Sequence, residues 1–328
     1  MNYIRYIKSI LVGFITGFFV FLIVFLFQVG SPTQIRGDAA WINFLYTTKS
    51  QIARSISTPK LFVVSGSNSL FGISCKTIHD RLDIGCVNFG THAGISVDYM
   101  LYRTKAVAQP GDTVILPLEY SLYTENGTPS DVFIDYVVSR DPKYLLSLNP
   151  VLGSKFVFGM SFERLKTGIL SKFYPQPDRF YIETPYHPDR INQYGDQTYN
   201  TVANIAEKQA NAVAEIQPMT EMVYYIQSSY GMTQIQEFVT WCRQHNIQVL
   251  ATWPNTVWFD FYQGKTKTEY WQSIKDFYHR IQVPILGEPE DFLYDKSLFF
   301  DTLYHLNDRG VNKRTQQLIE LLKPYLVN

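Results

Sequence analysis

Neither charge nor cysteine is plentiful in this chain. Of 328 residues, 29 are basic and 29 acidic, together 18%, so there is no electrostatic footprint for nucleic acid and no acidic, disordered character. Cysteine occurs at Cys75, Cys86 and Cys242 only. That is too few for a disulfide-stapled scaffold and lacks the spacing of a zinc site, so neither a metal nor a cofactor is expected. Three thiols cannot all pair within one chain. Cys75 and Cys86 admit two readings, a bridge in an oxidising compartment or a pair of buried thiols. Internal repeats and low-complexity tracts are also missing. What is abundant is apolar and aromatic: 46% and 16%, with 23 Tyr and 23 Phe. The length suffices for one large domain or two small ones around a continuous core, and the rings suggest lined grooves as well as packing.

Residues 10–27 read ILVGFITGFFVFLIVFLF, without a charge. At 1.5 Å per residue they span roughly 27 Å, close to a hydrocarbon core. Arg5 and Lys8 precede the run, and the twenty residues after it carry only Arg36 and Asp38, which orients the N-terminus to the cytoplasm and the rest to the periplasm or the exterior. A cleaved signal peptide would have a shorter apolar region and a small-x-small site, which QVGSPTQIRGDAA does not offer. The expectation is a single-pass anchor over 1–29 and a juxtamembrane stalk over 30–59, with a helix at 41–55.

From residue 60 strand and helix alternate. KLFVVSG at 60–66 reads as a buried parallel strand, followed by a helical period over 69–81. Strands are predicted at 84–88, 113–118, 248–253 and 283–286, and helices at 94–108, 219–245, 267–280 and 308–325. Residues 121–217, with YPQPDRFYIETPYHPDR at their centre, keep neither period and read as an insertion. Five βα units imply an α/β, doubly wound parallel five-stranded sheet with right-handed crossovers, whose ligands gather beyond the carboxyl ends of the strands.

Several chemistry-bearing residues fall at those ends. Ser67 lies in a glycine-assisted strand-to-helix turn that suits a nucleophile. Serine needs a base, and His305 is poised near neutral pH to serve. Asp301, four residues earlier in FFDTLYHLN, would fix the imidazole tautomer. The N–H groups of Ser67 and Gly90 are candidate oxyanion donors. Glu119 is either a substrate ligand or the partner of an arginine, and Tyr120, Trp253 and Trp258 are candidates for a sugar-stacking platform. The structural alternatives are plain: Ser67 and Ser69 as helix caps, Asp308 as the cap of the last helix, Gly90 and Asn88 as turn residues. His92 reads as solvated, and the Asn126-Gly127-Thr128 sequon has meaning only in a glycosylating host.

SGSNSLFGI at 65–73, NFGTHAG at 88–94 and DTLYHLNDRGVNKRT at 301–315 resemble the signature blocks of SGNH (GDSL-like) hydrolases, nearest to the membrane-anchored branch that includes alginate and cell-wall polymer acylation proteins. The resemblance covers about 60–118 and 247–325. It implies an SGNH-like domain over 60–328 with a flavodoxin-like sheet, and a Ser-Asp-His site that moves acetyl or other acyl groups on or off sugars. Ser67 then takes the nucleophile position, Gly90 the second oxyanion donor, and Asp301 and His305 the rest of the triad. The chain departs from the family pattern in three places: Ser65-Gly66-Ser67 replaces Gly-Asp-Ser, Leu118-Glu119-Tyr120 replaces Gly-x-Asn-Asp, and three residues rather than two separate Asp301 from His305. Asn255 or Asn68 is the candidate substitute for the missing asparagine. The expected activity is a membrane-tethered serine O-acyltransferase or acyl-esterase, its partners a carbohydrate polymer or an acyl donor and a membrane-bound O-acyltransferase. The alternative is a catalytically silent polysaccharide-binding or envelope-assembly protein.

Overall fold

The computed structural model describes residues 3–33, 37–57, 59–220 and 224–326. In chain order the helices and strands are α1 (Tyr3–Gln28), α2 (Asp38–Ser55), β1 (Lys60–Val63), α3 (Ser67–Leu70), α4 (Cys75–Leu82), β2 (Gly85–Asn88), α5 (Val97–Lys105) and β3 (Thr113–Leu116). Then come α6 (Asp131–Arg140), α7 (Pro150–Phe158), α8 (Phe162–Phe173), α9 (Glu207–Ala214), α10 (Tyr230–Gln244), β4 (Gln248–Thr252) and β5 (Thr256–Val257). The chain closes with α11 (Lys265–Arg280), β6 (Ile285–Leu286), β7 (Leu293–Tyr294) and α12 (Asp308–Leu326). Two compact units result: residues 1–43 with 128–179, and residues 44–127 with 180–328.

The larger unit is α/β. Its five-stranded sheet is parallel throughout, in the order β2-β1-β3-β4-β6, which is the flavodoxin-like order. Alternate strand residues Leu61, Val63, Ile115 and Leu250 share one core with Ile78 of α4 and Leu318 and Leu322 of α12. The intervening residues face the opposite side by the two-residue period, where α10 packs on β4 and on α5. Helices therefore cover both faces. A separate parallel pair, β5 with β7, was not expected, because two-residue strands leave no periodicity to read.

Local chemistry sets the ends of these elements. Ser74 accepts the Thr77 N–H to start α4, and Asp83, at φ 52°, ends it in the left-handed region. The helix expected from residue 219 begins at Tyr230, where the Ser229 hydroxyl accepts the Met232 N–H. Residues 221–223 of that expectation lie outside the described residues. Cys75 and Cys86 form a disulfide joining the start of α4 to β2, while Cys242 is a buried free thiol.

The smaller unit holds α1, which is long and apolar enough to cross a membrane. Its C-terminal end is fastened by a buried polar knot: Arg164 of α8 pairs with Asp135 of α6 and donates to Gln28 Oε1 (2.7 Å) and the Ser31 carbonyl (3.1 Å). Burial raises the Asp135 pKa and lowers that of Arg164, each opposed by the other's charge. Capping serines and an asparagine, Ser130, Asn149 and Ser161, open α6, α7 and α8. The sequence reading saw no regular elements in this stretch; each of these helices is only 9–12 residues long, with an apolar face too short to show a clear period.

Candidate active site

Ser67 is the first residue of α3, just beyond the carboxyl end of β1. The turn that carries it is held by Glu119, whose two carboxylate oxygens accept the Gly66 N–H (2.9 Å) and the Asn68 N–H (3.0 Å). The approach is so close that a Cβ on Gly66 would lie 2.6 Å from Glu119 Oε1. Between those two occupied amides, the Ser67 N–H and the Ser67 hydroxyl have no hydrogen-bond partner among the described residues. Asn68, buried behind them, donates to the Ser65 hydroxyl (3.1 Å) and the Pro117 carbonyl (2.8 Å), and the Ser69 N–H caps onto Ser65.

Asp301 and His305 lie in the loop before α12. An antiparallel bridge between Phe299 and Leu306 closes it, and the Phe300 N–H donates to the His305 carbonyl (2.8 Å). Inside this loop Asp301 Oδ1 lies 2.7 Å from His305 Nδ1. An ionised carboxylate can only accept, so Nδ1 carries the proton in that contact and Nε2 is the nitrogen left to act as a general base. Nε2 has no partner among the described residues. The imidazole stacks on Phe71, ring centroids 4.0 Å apart. Phe71 is the C-cap of α3, whose first residue is Ser67, and its N–H donates to the Ser67 carbonyl (3.0 Å), so the imidazole rests against the turn that carries the hydroxyl. Asn200 fixes this pairing by donating to both the Phe71 carbonyl (3.0 Å) and the Leu306 carbonyl (2.6 Å).

Other sequence candidates serve the frame instead. The Gly90 N–H is taken by Asn88 Oδ1 (3.1 Å), and a Cβ there would come within 2.6 Å of the Leu70 nitrogen. Gly90 is therefore a close-packing glycine and not an oxyanion donor. Asn255 is fully buried; its Oδ1 accepts from Arg314 and its Nδ2 donates to the Tyr304 carbonyl (2.9 Å), so it is no oxyanion donor either. Glu119 is 2% exposed with both oxygens occupied and faces no substrate. Trp253 is 1% exposed and spends its indole N–H on the Gly287 carbonyl (2.9 Å), which removes it from any stacking platform. Trp258 is exposed, and His92 is half-buried with Nδ1 accepting the Gly94 N–H. Asn307, rather than Asp308, caps α12 through the Arg309 and Gly310 N–H groups.

Tyr120 lines a cavity of about 330 Å³ with Ser121, Met219, Tyr270, Leu303 and Tyr304. Its walls adjoin both arms of the site in the chain, since Tyr120 follows Glu119 and Tyr304 precedes His305. Among the described residues no charged side chain lines it. Burial pushes the Tyr120 and Tyr304 phenols well above their ordinary range, so both remain neutral donors.

Sequence reading missed the buried charges that brace this edge. Arg314 of α12 is fully buried and donates to the carbonyls of Asn68 (3.0 Å) and Trp253 (3.2 Å). Burial draws its pKa down to about 10, opposed by nearby Tyr294 and Glu119. Lys49, also fully buried, donates to the Gly90 carbonyl, and burial lowers its pKa to about 7. Asp196 receives the Cys75 (2.8 Å) and Lys76 (3.0 Å) N–H groups at the start of α4, and Asn88 Nδ2 (3.2 Å). Residues 196–200 thus bind the turn after β1, the end of β2 and the histidine loop together. Among the described residues there is no cluster of three His, Cys, Asp or Glu side chains able to hold a metal ion.

No protein-family model matches the chain, and no curated protein matches it in sequence. Among solved structures it is similar to the protein YxiM from Bacillus subtilis, at 10% identity and a TM-score of 0.38, over 83% of this chain. The match spans 58% of the YxiM chain.

Proposed function

We propose that the protein is a membrane-tethered, extracytoplasmic serine O-acyltransferase or acyl-esterase of the SGNH type, acting on a carbohydrate polymer. The observation that carries this reading is the Asp301–His305 pair stacked on Phe71, one turn from a Ser67 whose hydroxyl and amide are both unengaged. In the proposed reaction Nε2 takes the Ser67 proton as Oγ bonds to the acyl carbon, and the Ser67 N–H receives the developing oxyanion. The histidine then returns the proton to the leaving oxygen, giving an acyl-Ser67. Water or a sugar hydroxyl attacks that ester in the second step, its proton passing through Nε2 back to Oγ.

Support for the location comes from α1, with Arg5 and Lys8 at its cytoplasmic side, and from the Cys75–Cys86 disulfide, which belongs to an oxidising compartment. The hydroxyl-rich cavity beside the site suits a sugar. A membrane-bound O-acyltransferase as acyl supplier follows from the family resemblance alone. One observation favours the second reading, a silent polysaccharide-binding or envelope-assembly protein: all three candidate second oxyanion donors, Gly90, Asn255 and Asn68, are spent internally. A fluorophosphonate probe separates the two. Labelling of the full chain in detergent, abolished in Ser67→Ala and His305→Ala, is the expected result for the enzyme; an unlabelled wild type would leave only the binding protein.

A further inference from the structure

Within the smaller unit, α7, α8 and the turns that flank them leave large apolar side chains uncovered: Leu146, Val151, Phe158, Phe162, Phe173 and Tyr174 are 65–88% exposed. Residues 156–162, FVFGMSF, form the tip of this hairpin and carry no charge. The hairpin does not stand apart from α1. Phe158 packs on Phe18 and stacks on Phe21 (centroids 6.5 and 6.1 Å), and Phe173 packs on Phe27 (6.3 Å). Phe18 and Phe21 precede Phe27 by nine and six residues, which is about 9–14 Å along the helix axis. Where α1 crosses a bilayer with Phe27 near the outer boundary, the Phe158 ring lies deep in the outer half of a roughly 30 Å hydrocarbon core.

We propose that the α7–α8 hairpin is a second membrane element, embedded in the outer leaflet beside α1, and that lipid acyl chains cover its exposed face. The inference rests on the membrane reading of α1 given above. Two further features fix the occupant as lipid. An apolar groove of about 780 Å³ runs between α1 and the hairpin tip, from Gly13 and Gly17 to Phe158 and Met160, and continues the lipid-facing surface of α1 without a break. Several polar groups fall where headgroups would be: the Arg164–Asp135 pair and Gln28 sit at the end of α1, and exposed Lys172 reaches the Val29 carbonyl, followed by Tyr174, while exposed Glu163 and Lys166 lie on α8 between the tip and Lys172. Cations and a tyrosine at that level complement the phosphates of an interfacial layer.

The test uses the full chain in phosphatidylcholine–phosphatidylglycerol vesicles, in a Cys242→Ala background that keeps the disulfide, with NBD attached at Phe158→Cys or, on a position that packs on no α1 ring, Val151→Cys. Ile15→Cys on α1 reports the anchor itself. Expected is loss of emission to lipids carrying a doxyl group on carbon 12 at position 158, and protection of both hairpin positions from iodide. Iodide quenching of 151 and 158 with position 15 still quenched by lipid overturns the hairpin alone. Iodide quenching at position 15 overturns the anchor reading with it. Protection of 151 and 158 from both quenchers means that protein, a second copy or a membrane partner, covers the face, and overturns the lipid assignment.

Discussion

Replacing Glu119 by glutamine tests the frame of the site without touching its proposed chemistry. The carboxylate accepts two buried backbone N–H groups, on Gly66 and Asn68, and is 2% exposed. Glutamine keeps one acceptor oxygen and turns an NH2 group toward the other N–H. One charge-assisted bond is lost, about 1.5–3 kcal/mol, and a buried N–H is left unpaired, about 1–3 kcal/mol, so the cost is about 3–5 kcal/mol. Against a total stability of about 5–15 kcal/mol this is a large fraction. The buried charge of Arg314 also loses a neighbour of opposite sign. The turn can relieve part of the cost by moving, and a displacement of about 1 Å at a nucleophile lowers reactivity about 100-fold. Two measurements follow: the urea midpoint of the full chain in detergent, and the rate of fluorophosphonate labelling at Ser67. A lower midpoint with slowed labelling is expected. Unchanged stability together with wild-type labelling would refute the assignment of Glu119 as the clamp.

Asp301→Asn should lower p-nitrophenyl acetate hydrolysis less than Ser67→Ala or His305→Ala, for which about 10³–10⁶ is expected; equal losses would count against its role as the orienting carboxylate. Lys49 binds its proton less tightly when folded, at about 7 against 10.5, so the unfolded chain holds more protons between those values. Stability should therefore fall as pH drops from 10.5 through 7, and Lys49→Met should flatten that slope, on the order of 4 kcal/mol, in urea melts at several pH values. Glu125 acts in the opposite direction in another window, because desolvation raises its pKa from 4.5 to about 8. Its contribution is complete below 4.5 and is lost as pH rises through 8, a dependence that Glu125→Gln should remove. Reducing the Cys75–Cys86 bond, which closes a loop of separation 11, should cost about 3 kcal/mol by chain entropy, read as a lower urea midpoint in dithiothreitol.

The sheet was legible because buried parallel strands write themselves as apolar runs, as in 60–63 and 113–116, and because α12 keeps a clear helical period. The Asp301–His305 contact was legible for a similar reason: both partners lie in one short loop. Glu119, Asn255 and Arg314 were misread or missed because their partners are remote. Glu119 holds amides 51 and 53 residues away, and Arg314 reaches Asn68 across 246 residues. A carboxylate that accepts backbone N–H groups looks, in sequence, no different from one that awaits a ligand. Asn200 left no trace for the same reason: it lies in an aperiodic stretch, and its acceptors are main-chain carbonyls, which no side-chain pattern encodes.

The reach of Arg314 has a consequence for the order of events during folding. A guanidinium near the end of the chain ties into the serine turn near its beginning, so that tie is made only once the last helix has docked, whereas the Glu119 clamp needs no part of that helix. Nascent or truncated chains would then carry the serine without one of its braces. A chain ended at Asn307 should give no fluorophosphonate adduct even where the sheet has formed by circular dichroism; an adduct there would show that the two ends mature independently.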